Sequence, residues 1–204
     1  MALGRALEGA GLEIDVDAAA VGRLARFLDA RERWAGTHNL SGPASRLDPW
    51  SVDVVDGLAV AGALAPDLPL VDVGAGSGVP GVVVACLQPA RRVILVEPRV
   101  KRAAFLRTVG STLGLSALEV IRDRWPIRLD APVQVVSRAV VSPTAWPALA
   151  ASAGVQVSSV LRMLAAQRPA FEPAGWTCAL DLAYRGADGH ARSVQRWDRS
   201  PRPG

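Results

Sequence analysis

A glycine-rich turn after a short apolar run constrains the fold of this chain more than any other feature. Residues 70–81 read LVDVGAGSGVPG, with glycine at alternate positions of the turn. Glycine permits backbone conformations that a Cβ atom resists, and it lets the main chain come close to a ligand. A helix beginning after the turn would add free N–H groups and the positive end of its dipole. The segment therefore predicts a strand, a ligand-binding turn and a helix.

The chain beyond this turn alternates between apolar runs and helical segments. Strands buried on both faces read as continuous apolar runs, and their alternation with helices predicts a parallel sheet. The predicted strands are Leu70–Val73, Val93–Val96, 117–121, Val133–Val136, Val157–Leu164, 177–183 and 193–197, the last two antiparallel, and the predicted helices are 82–87 and 100–113. We expect an α/β, Rossmann-like fold with a mostly parallel sheet and helices on both faces.

The first 65 residues have a different hydrophobic pattern, because apolar residues there recur at helical spacing. The predicted pieces are a helix through Val21, Leu24 and Leu28, a loop over residues 38–49 with Gly42, Pro43 and Pro49, and a helix over residues 52–64 that stops before Pro66. We therefore divide the chain into an N-terminal helical extension, residues 1–65, and one compact Rossmann-like domain, residues 66–204.

Three residues around the turn indicate which ligand it binds. Glu97 ends the second predicted strand, where a carboxylate can accept hydrogen bonds from both ribose hydroxyls. Asp72 comes two residues before the first glycine, and we interpret its carboxylate as suited to a cationic, methionine-type ligand and repulsive to a pyrophosphate. Pro80 lacks an N–H that a pyrophosphate would use. This combination favours S-adenosylmethionine as the cofactor.

A dinucleotide remains the alternative ligand. Gly76, Gly78 and Gly81 also fit the pattern G-x-G-x-x-G, which by itself is a weak signal for NAD binding. A glycine-rich turn without any ligand is the third interpretation. An NAD-dependent oxidoreductase is accordingly kept among the hypotheses.

The formal net charge is +4, and Lys101 is the only lysine, so arginine supplies nearly all of the positive charge. A GC-rich genome would explain this usage. Alternatively, guanidinium groups on the surface bind phosphates bidentately. The composition permits an RNA partner without demanding one.

Other features exclude several classes of protein. Cys86 and Cys178 lie in apolar surroundings without a C-x-x-C pattern, so neither a metal site nor a disulfide framework is predicted. The N-terminus lacks a signal-peptide pattern, and no apolar run is long enough to span a bilayer. We expect a cytoplasmic protein with no membrane partner and no metal.

A series of residues from about 20 to 140 resembles one known family, the small-subunit ribosomal RNA guanine-N7 methyltransferases called GidB or RsmG. The turn ending Gly-Val-Pro-Gly and the later Lys-Arg-x-x-Phe-Leu-Arg are the most specific matches. The matching residues are Trp34, Asn39-Leu40-Ser41, Asp56, Asp72 to Gly81, Glu97, Lys101-Arg102, Phe105-Leu106-Arg107, Arg124 and Ser137-Arg138-Ala139.

The resemblance implies a class I methyltransferase fold, with S-adenosylmethionine as the cofactor and ribosomal RNA or the small ribosomal subunit as the partner. The cofactor-binding candidates, from the turn and the resemblance together, are Asp72, Gly74, Gly76, Gly78, Val79, Glu97, Trp125, Pro126 and Arg138. Lys101, Arg102 and Arg107 are candidates for contacts with RNA phosphates, or else form a solvated helix face.

The implied reaction requires no general base, because guanine N7 carries a lone pair and no proton. No catalytic residue is therefore assigned. Asn39 and Arg138 are candidates for positioning the base, and Asn39 has the alternative role of a turn or capping residue.

The chain departs from the family pattern at several positions. Val52, Asp53 and Gly57 stand where the family has a basic residue, His and Ser, Pro126 stands in place of Glu, and Ala165-Ala166 stand in place of Lys-Gly. These departures keep two alternatives open. One is a relative that methylates another RNA or a small molecule, and the other is a non-catalytic homologue that binds RNA or the cofactor. The sequence predicts neither an oligomeric state nor a role for the last 40 residues.

Overall fold

The computed structural model describes residues 2–35, 42–138, 140–165 and 173–200. Asn39, Ala139 and Ala166 lie outside the described residues. In chain order the elements are α1 (Ala2–Ala10), α2 (Ala18–Ala35), α3 (Pro43–Leu47), a π-helical turn (Trp50–Val54), α4 (Val55–Ala63), β1 (Leu70–Val73), α5 (Gly81–Leu87), β2 (Val93–Val96), α6 (Val100–Thr112), β3 (Leu118–Ile121), β4 (Val133–Val136), α7 (Trp146–Ala151), a 3₁₀ turn (Gly154–Gln156), β5 (Val157–Leu164), β6 (Trp176–Arg185) and β7 (Ala191–Arg199). No helix within these ranges is long and apolar enough to cross a membrane.

The strands form one seven-stranded sheet in the order β3-β2-β1-β4-β5-β7-β6. The first five strands are parallel, whereas β7 runs antiparallel to both β5 and β6. Each strand predicted from the sequence is confirmed, including the antiparallel pairing of the last two. The carboxyl ends of β1, β2 and β4 meet at one edge, which is where open α/β sheets bind ligands.

Both faces of the sheet are covered, which explains why the strands read as unbroken apolar runs. Successive side chains of a strand point to opposite faces. Leu70 and Leu95 belong to one hydrophobic cluster, with residues of α1, α2, α4, α5 and α6. Val71 and Ile94 belong to the other, with Trp146 of α7. The α/β architecture predicted from the sequence is confirmed.

The N-terminal helices share the first cluster with the sheet. Leu24 and Phe27 of α2 and Leu58 of α4 are fully buried in it. Trp34 at the end of α2 packs on Phe105 of α6, with ring centroids 5.5 Å apart. The division of the chain at residue 65 stays a prediction.

The predicted loop over residues 38–49 is wrong for the five residues of α3, Pro43–Leu47. Pro43 occupies the first turn of this helix, where the missing N–H costs nothing and the fixed φ favours helical geometry. Proline therefore starts a short helix here, whereas the sequence interpretation took it as a sign of a loop.

Candidate cofactor-binding site

A cavity of about 580 Å³ opens at the carboxyl edge of β1, β2 and β4. Its lining combines the turn after β1, the segment after β2, and residues that follow β3 and β4. The lining residues are Val73, Gly74, Ala75, Gly76, Ser77, Val79, Val96, Glu97, Pro98, Arg99, Arg102, Asp123, Arg124, Trp125, Arg138, Val140 and Leu149. Six of the nine predicted cofactor-binding residues are among them, namely Gly74, Gly76, Val79, Glu97, Trp125 and Arg138.

The turn has the left-handed backbone that its glycines predict. The φ angles of Gly74, Gly76 and Gly78 are +72°, +55° and +92°. A Cβ atom on Gly76 would have no atom of the described residues closer than 3.6 Å, other than those of its chain neighbours. The nearest atoms, Arg102 Nη1 and the Gly74 carbonyl, are at ordinary contact distance, and the main chain at Gly76 lines the cavity, where a ligand can approach the backbone.

Glu97 is fixed against this turn. Its Oε2 accepts a hydrogen bond from the Gly76 N–H at 2.9 Å, and its Oε1 accepts one from the Arg99 N–H at 2.9 Å. A carboxylate offers about four lone-pair sites, so acceptor capacity remains for hydroxyl groups in the cavity. The side chain is therefore oriented before any ligand binds.

Asp72, a cofactor-binding candidate from the sequence, is not among the residues that line the cavity. It is fully buried behind the turn, and its Oδ2 accepts a hydrogen bond from the Gly81 N–H at 2.8 Å. Burial raises the pKa of this carboxyl to about 7, against the opposing effect of the Gly81 bond. Asp72 shapes the turn from within and does not line the ligand space.

This bond also bears on the choice between cofactors. A dinucleotide places its pyrophosphate on free N–H groups at the start of a helix. Here the Gly81 N–H is bonded to Asp72, and the Val82 N–H donates to the Gly78 carbonyl at 2.7 Å. These two N–H donors at the start of α5 are therefore not free for a pyrophosphate, which disfavours NAD. The sequence did not reveal this bonding.

Gly78 and Pro126 also do not line the cavity. A Cβ on Gly78 would come within 2.7 Å of Val82 Cγ2, so this glycine serves close packing of the turn on α5. Trp125, directly before Pro126, does line the cavity, and its Nε1 donates to the Leu149 carbonyl at 2.7 Å. This bond holds the indole ring at the cavity wall.

The three residues predicted to contact RNA all lie on α6. Arg102 lines the cavity, whereas Lys101 and Arg107 are exposed. Arg107 Nη2 donates to the Val120 carbonyl at 3.2 Å. Of these three residues, only Arg102 thus lines the cavity.

Arg138 belongs to a buried ionic network that the sequence did not predict, here called the carboxylate cluster. Its members are Arg31, Asp53, Asp56, Arg138, Tyr184 and Arg192. Fully buried Asp53 pairs with Arg31 at 2.8 Å and with Arg138 at 2.7 Å. Asp56 pairs with Arg138 at 3.2 Å and with Arg192 at 3.4 Å. The cluster joins α2, the π-helical turn, α4, the end of β4, and the β6–β7 pair.

The two carboxylates of the cluster stabilise the cations and the phenol around them. Burial alone would lower the pKa of Arg138, but the Asp53 and Asp56 carboxylates outweigh it and raise that pKa. Tyr184 donates to Asp56 Oδ1 at 2.7 Å, and burial together with this carboxylate raises the pKa of the phenol. The tyrosine therefore stays protonated as a donor, and Arg138 stays cationic at the cavity wall.

The structure explains two of the departures from the family pattern. Asp53, noted above only as a replacement for His, is the shared partner of Arg31 and Arg138 and accepts a hydrogen bond from Ser45. Gly57 lets α4 approach α5, because a Cβ there would overlap Val83. The spacing of Asp53 and Asp56, three residues apart on one helical face, was the available signal for the cluster.

The model of one protein family, GidB, described as rRNA small subunit methyltransferase G, matches residues 21–154. The chain belongs to this family. A ribosomal RNA small subunit methyltransferase G of Anaeromyxobacter dehalogenans is 32% identical over 209 residues, covering 97% of this chain and 96% of the relative. One of Halorhodospira halophila is 37% identical over 136 residues, covering 66% of this chain and 64% of the relative.

Solved structures share the fold at low sequence identity. The mitomycin 7-O-methyltransferase MmcR has a TM-score of 0.54 at 19% identity, covering 90% of this chain and 73% of that chain. The S-adenosylmethionine complex of an MtNAS variant has a TM-score of 0.52 at 14% identity, covering 90% and 72%. These similarities confirm the predicted class I methyltransferase fold.

Proposed function

We propose that this chain is an S-adenosylmethionine-dependent methyltransferase that methylates N7 of a guanine in small-subunit ribosomal RNA. One observation carries the proposal. In a member of the GidB family, the cavity at the carboxyl edge of the sheet brings the open main chain at Gly76 against the fixed carboxylate of Glu97. The names of the relatives supply the ribosomal RNA, and the resemblance described above supplies guanine N7.

The residues present fit this cofactor. The cavity beside Gly76 offers space for a nucleoside close to the main chain, and Glu97 retains acceptor capacity for the ribose hydroxyls. Gly74, Val79 and Trp125 complete the proposed cofactor wall. When bound, S-adenosylmethionine supplies an electrophilic methyl group on a sulfonium that is already a good leaving group.

The remaining task of the protein is to orient the base. N7 attacks through a lone pair in the plane of the ring and releases no proton, so positioning is the main source of acceleration and is worth many kcal/mol. Arg138 suits this task because Asp53 and Asp56 fix its guanidinium at the wall of the cavity. The proposed role of Arg138 is to hold the base in the position, relative to the cofactor, that methyl transfer requires.

Two experiments test the proposal. Isothermal titration with S-adenosylmethionine and with NAD is expected to give binding to the former alone, and binding of NAD alone would overturn the cofactor assignment. Mapping of guanine-N7 methylation in ribosomal RNA from cells with and without the gene is expected to reveal one site that depends on it. An unchanged map, together with intact cofactor binding, would support the alternatives of another substrate or a non-catalytic role.

A further inference from the structure

A second cavity, of about 510 Å³, adjoins the cofactor cavity, and Arg138 lines both. The walls of this second cavity come from α4, the end of β5, and the β6–β7 hairpin. Asp56, Tyr184, Asp188, His190 and Arg192 form its polar side, and Met163, Leu164, Ala165 and Ala191 its apolar side. The volume lies in the range of small-ligand sites. It lies at the edge of the sheet that also carries the proposed cofactor site.

The polar wall is held in place by its own bonds. Arg192 bridges the two carboxylates, with Nη1 3.4 Å from Asp56 Oδ1 and Nη2 3.1 Å from Asp188 Oδ2. The His190 N–H donates to Asp188 Oδ1 at 3.1 Å. Asp188 is thus oriented by two donors, while its side chain remains 51% exposed. Each of its oxygens accepts one of these two bonds, and a carboxylate accepts about four in total.

Guanine matches this arrangement better than the other bases do. Its N7 and O6 acceptors lie on one edge, and its N1–H and N2–H₂ donors lie on the opposite edge. A carboxylate receives the two donors side by side, whereas adenine presents an unprotonated N1 and hypoxanthine lacks the 2-amino group. If N7 faces the wall shared with the cofactor, the donor edge points away from that wall, and Asp188 is the more exposed of the two lining carboxylates that can receive it. The apolar residues then border the base.

We propose that this second cavity binds the guanine that accepts the methyl group, and that Asp188 selects guanine by accepting from its N1–H and N2–H₂. The inference rests on the proposed function for the identity of the base. It assigns a specificity role to the β6–β7 hairpin, where the resemblance to the family is faint. Arg138 contributes to both cavities and so lies between cofactor and base.

Binding of mononucleotides to the full chain saturated with S-adenosylhomocysteine tests the site without requiring turnover. Guanosine monophosphate is expected to bind roughly tenfold or more tightly than inosine or adenosine monophosphate, as bidentate recognition predicts. Asp188→Asn keeps an acceptor for the His190 N–H but loses one acceptor for guanine, so the preference for guanosine over inosine monophosphate should fall to within about twofold. Asp130→Asn, an exposed carboxylate outside this cavity, is the control and should keep the preference.

The outcomes separate this inference from the proposed function. An unchanged preference in Asp188→Asn, or no guanosine monophosphate binding by wild-type protein that binds S-adenosylhomocysteine, would overturn the base site. Methylation of ribosomal RNA by wild-type protein and by Asp188→Asn at equal kcat/KM would also overturn it and leave the proposed function intact. A guanosine preference that depends on Asp188, with no methylation of ribosomal RNA by the wild type, would instead overturn the proposed function and retain the site.

Discussion

The proposed cofactor cavity is bordered by two regions that are built in different ways. On one side, the turn after β1 is built from main chain within 12 consecutive residues, and the Glu97 carboxylate is bonded to it from the end of the next strand. On the other, the carboxylate cluster joins side chains up to 136 residues apart, as in the contact between Arg192 and Asp56. The turn presents open backbone, whereas the cluster presents a cation held by buried carboxylates. A local pattern encodes the first region, and only the completed fold creates the second.

Substitutions in the two regions should therefore affect different properties of the protein. Changes in the cluster should act first on the free energy of unfolding, because a buried charge that loses its partner keeps its desolvation penalty. Changes in the turn should act first on cofactor affinity, because the proposed cofactor would contact the backbone there.

The largest effect is expected for Asp53→Ala. Asp53 is fully buried between Arg31 and Arg138, and Arg31 is only 4% exposed, so the variant leaves a buried guanidinium unpaired. Removal of one partner from such a pair costs about 3–5 kcal/mol. Urea unfolding followed by circular dichroism measures the loss. Asp29→Ala, which removes an exposed carboxylate from α2, is the control and should lower the free energy of unfolding by less than about 0.5 kcal/mol.

A double variant sharpens this test. Arg31→Met with Asp53→Leu removes both charges of the buried pair and fills their space with apolar side chains, so it should recover part of the lost stability. A cost below about 1 kcal/mol for Asp53→Ala alone would show that solvent reaches the cluster, and the contrast with the turn would then disappear.

The next effect concerns Asp72 and depends on pH. Its pKa is about 7 in the folded protein against 3.8 for the ordinary carboxyl, so the folded state holds a proton that the unfolded state releases between these values. Stability should therefore decrease as the pH rises from about 4 to 7 and level off above. Asp72→Asn retains an acceptor for the Gly81 N–H. Its free energy of unfolding should therefore exceed that of the wild type by up to a few kcal/mol as the pH rises through this window.

Unfolding free energies at pH 5 and pH 8 measure this gain. Asp130→Asn, which removes an exposed carboxylate, separates the effect of burial from that of net charge. A constant difference between Asp72→Asn and the wild type at both pH values would show that the carboxyl under the turn is ionised throughout, and therefore more strongly solvated than its burial indicates.

The strands, the turn and Glu97 were predictable because each follows from a local pattern: an apolar run, alternating glycines, or an acid at a strand end. The buried position of Asp72 was not predictable, since the sequence places it before the turn but does not reveal which side of the strand its carboxylate occupies. The role of Asp53 was missed because its partners Arg31 and Arg138 are 22 and 85 residues away. Tyr184 carried no signal, because β6 brings it to Asp56 only through the antiparallel end of the sheet.

A smaller effect is expected for Gly76→Val, which tests the turn itself. The φ of Gly76 is +55°, and a side chain there enters the proposed cofactor space, so the affinity for S-adenosylmethionine should fall about tenfold or more. Gly114→Val is the matched control, because Gly114 has a φ of +66° and borders no cavity that binds the proposed cofactor. Both variants should lose comparable stability from backbone strain. Calorimetry that gives equal affinities for the two would place the ligand elsewhere.

The smallest effect is expected outside both regions, on the exposed face of α6. If Lys101 contacts an RNA phosphate, Lys101→Ala should weaken RNA binding a few-fold and reduce the slope of log K against log salt by about 1, without a change in cofactor affinity. Arg5→Ala removes an exposed charge from α1 and is the control. Filter binding of ribosomal RNA at several salt concentrations measures both slopes. Equal slopes for the two variants would assign Lys101 to a solvated helix face.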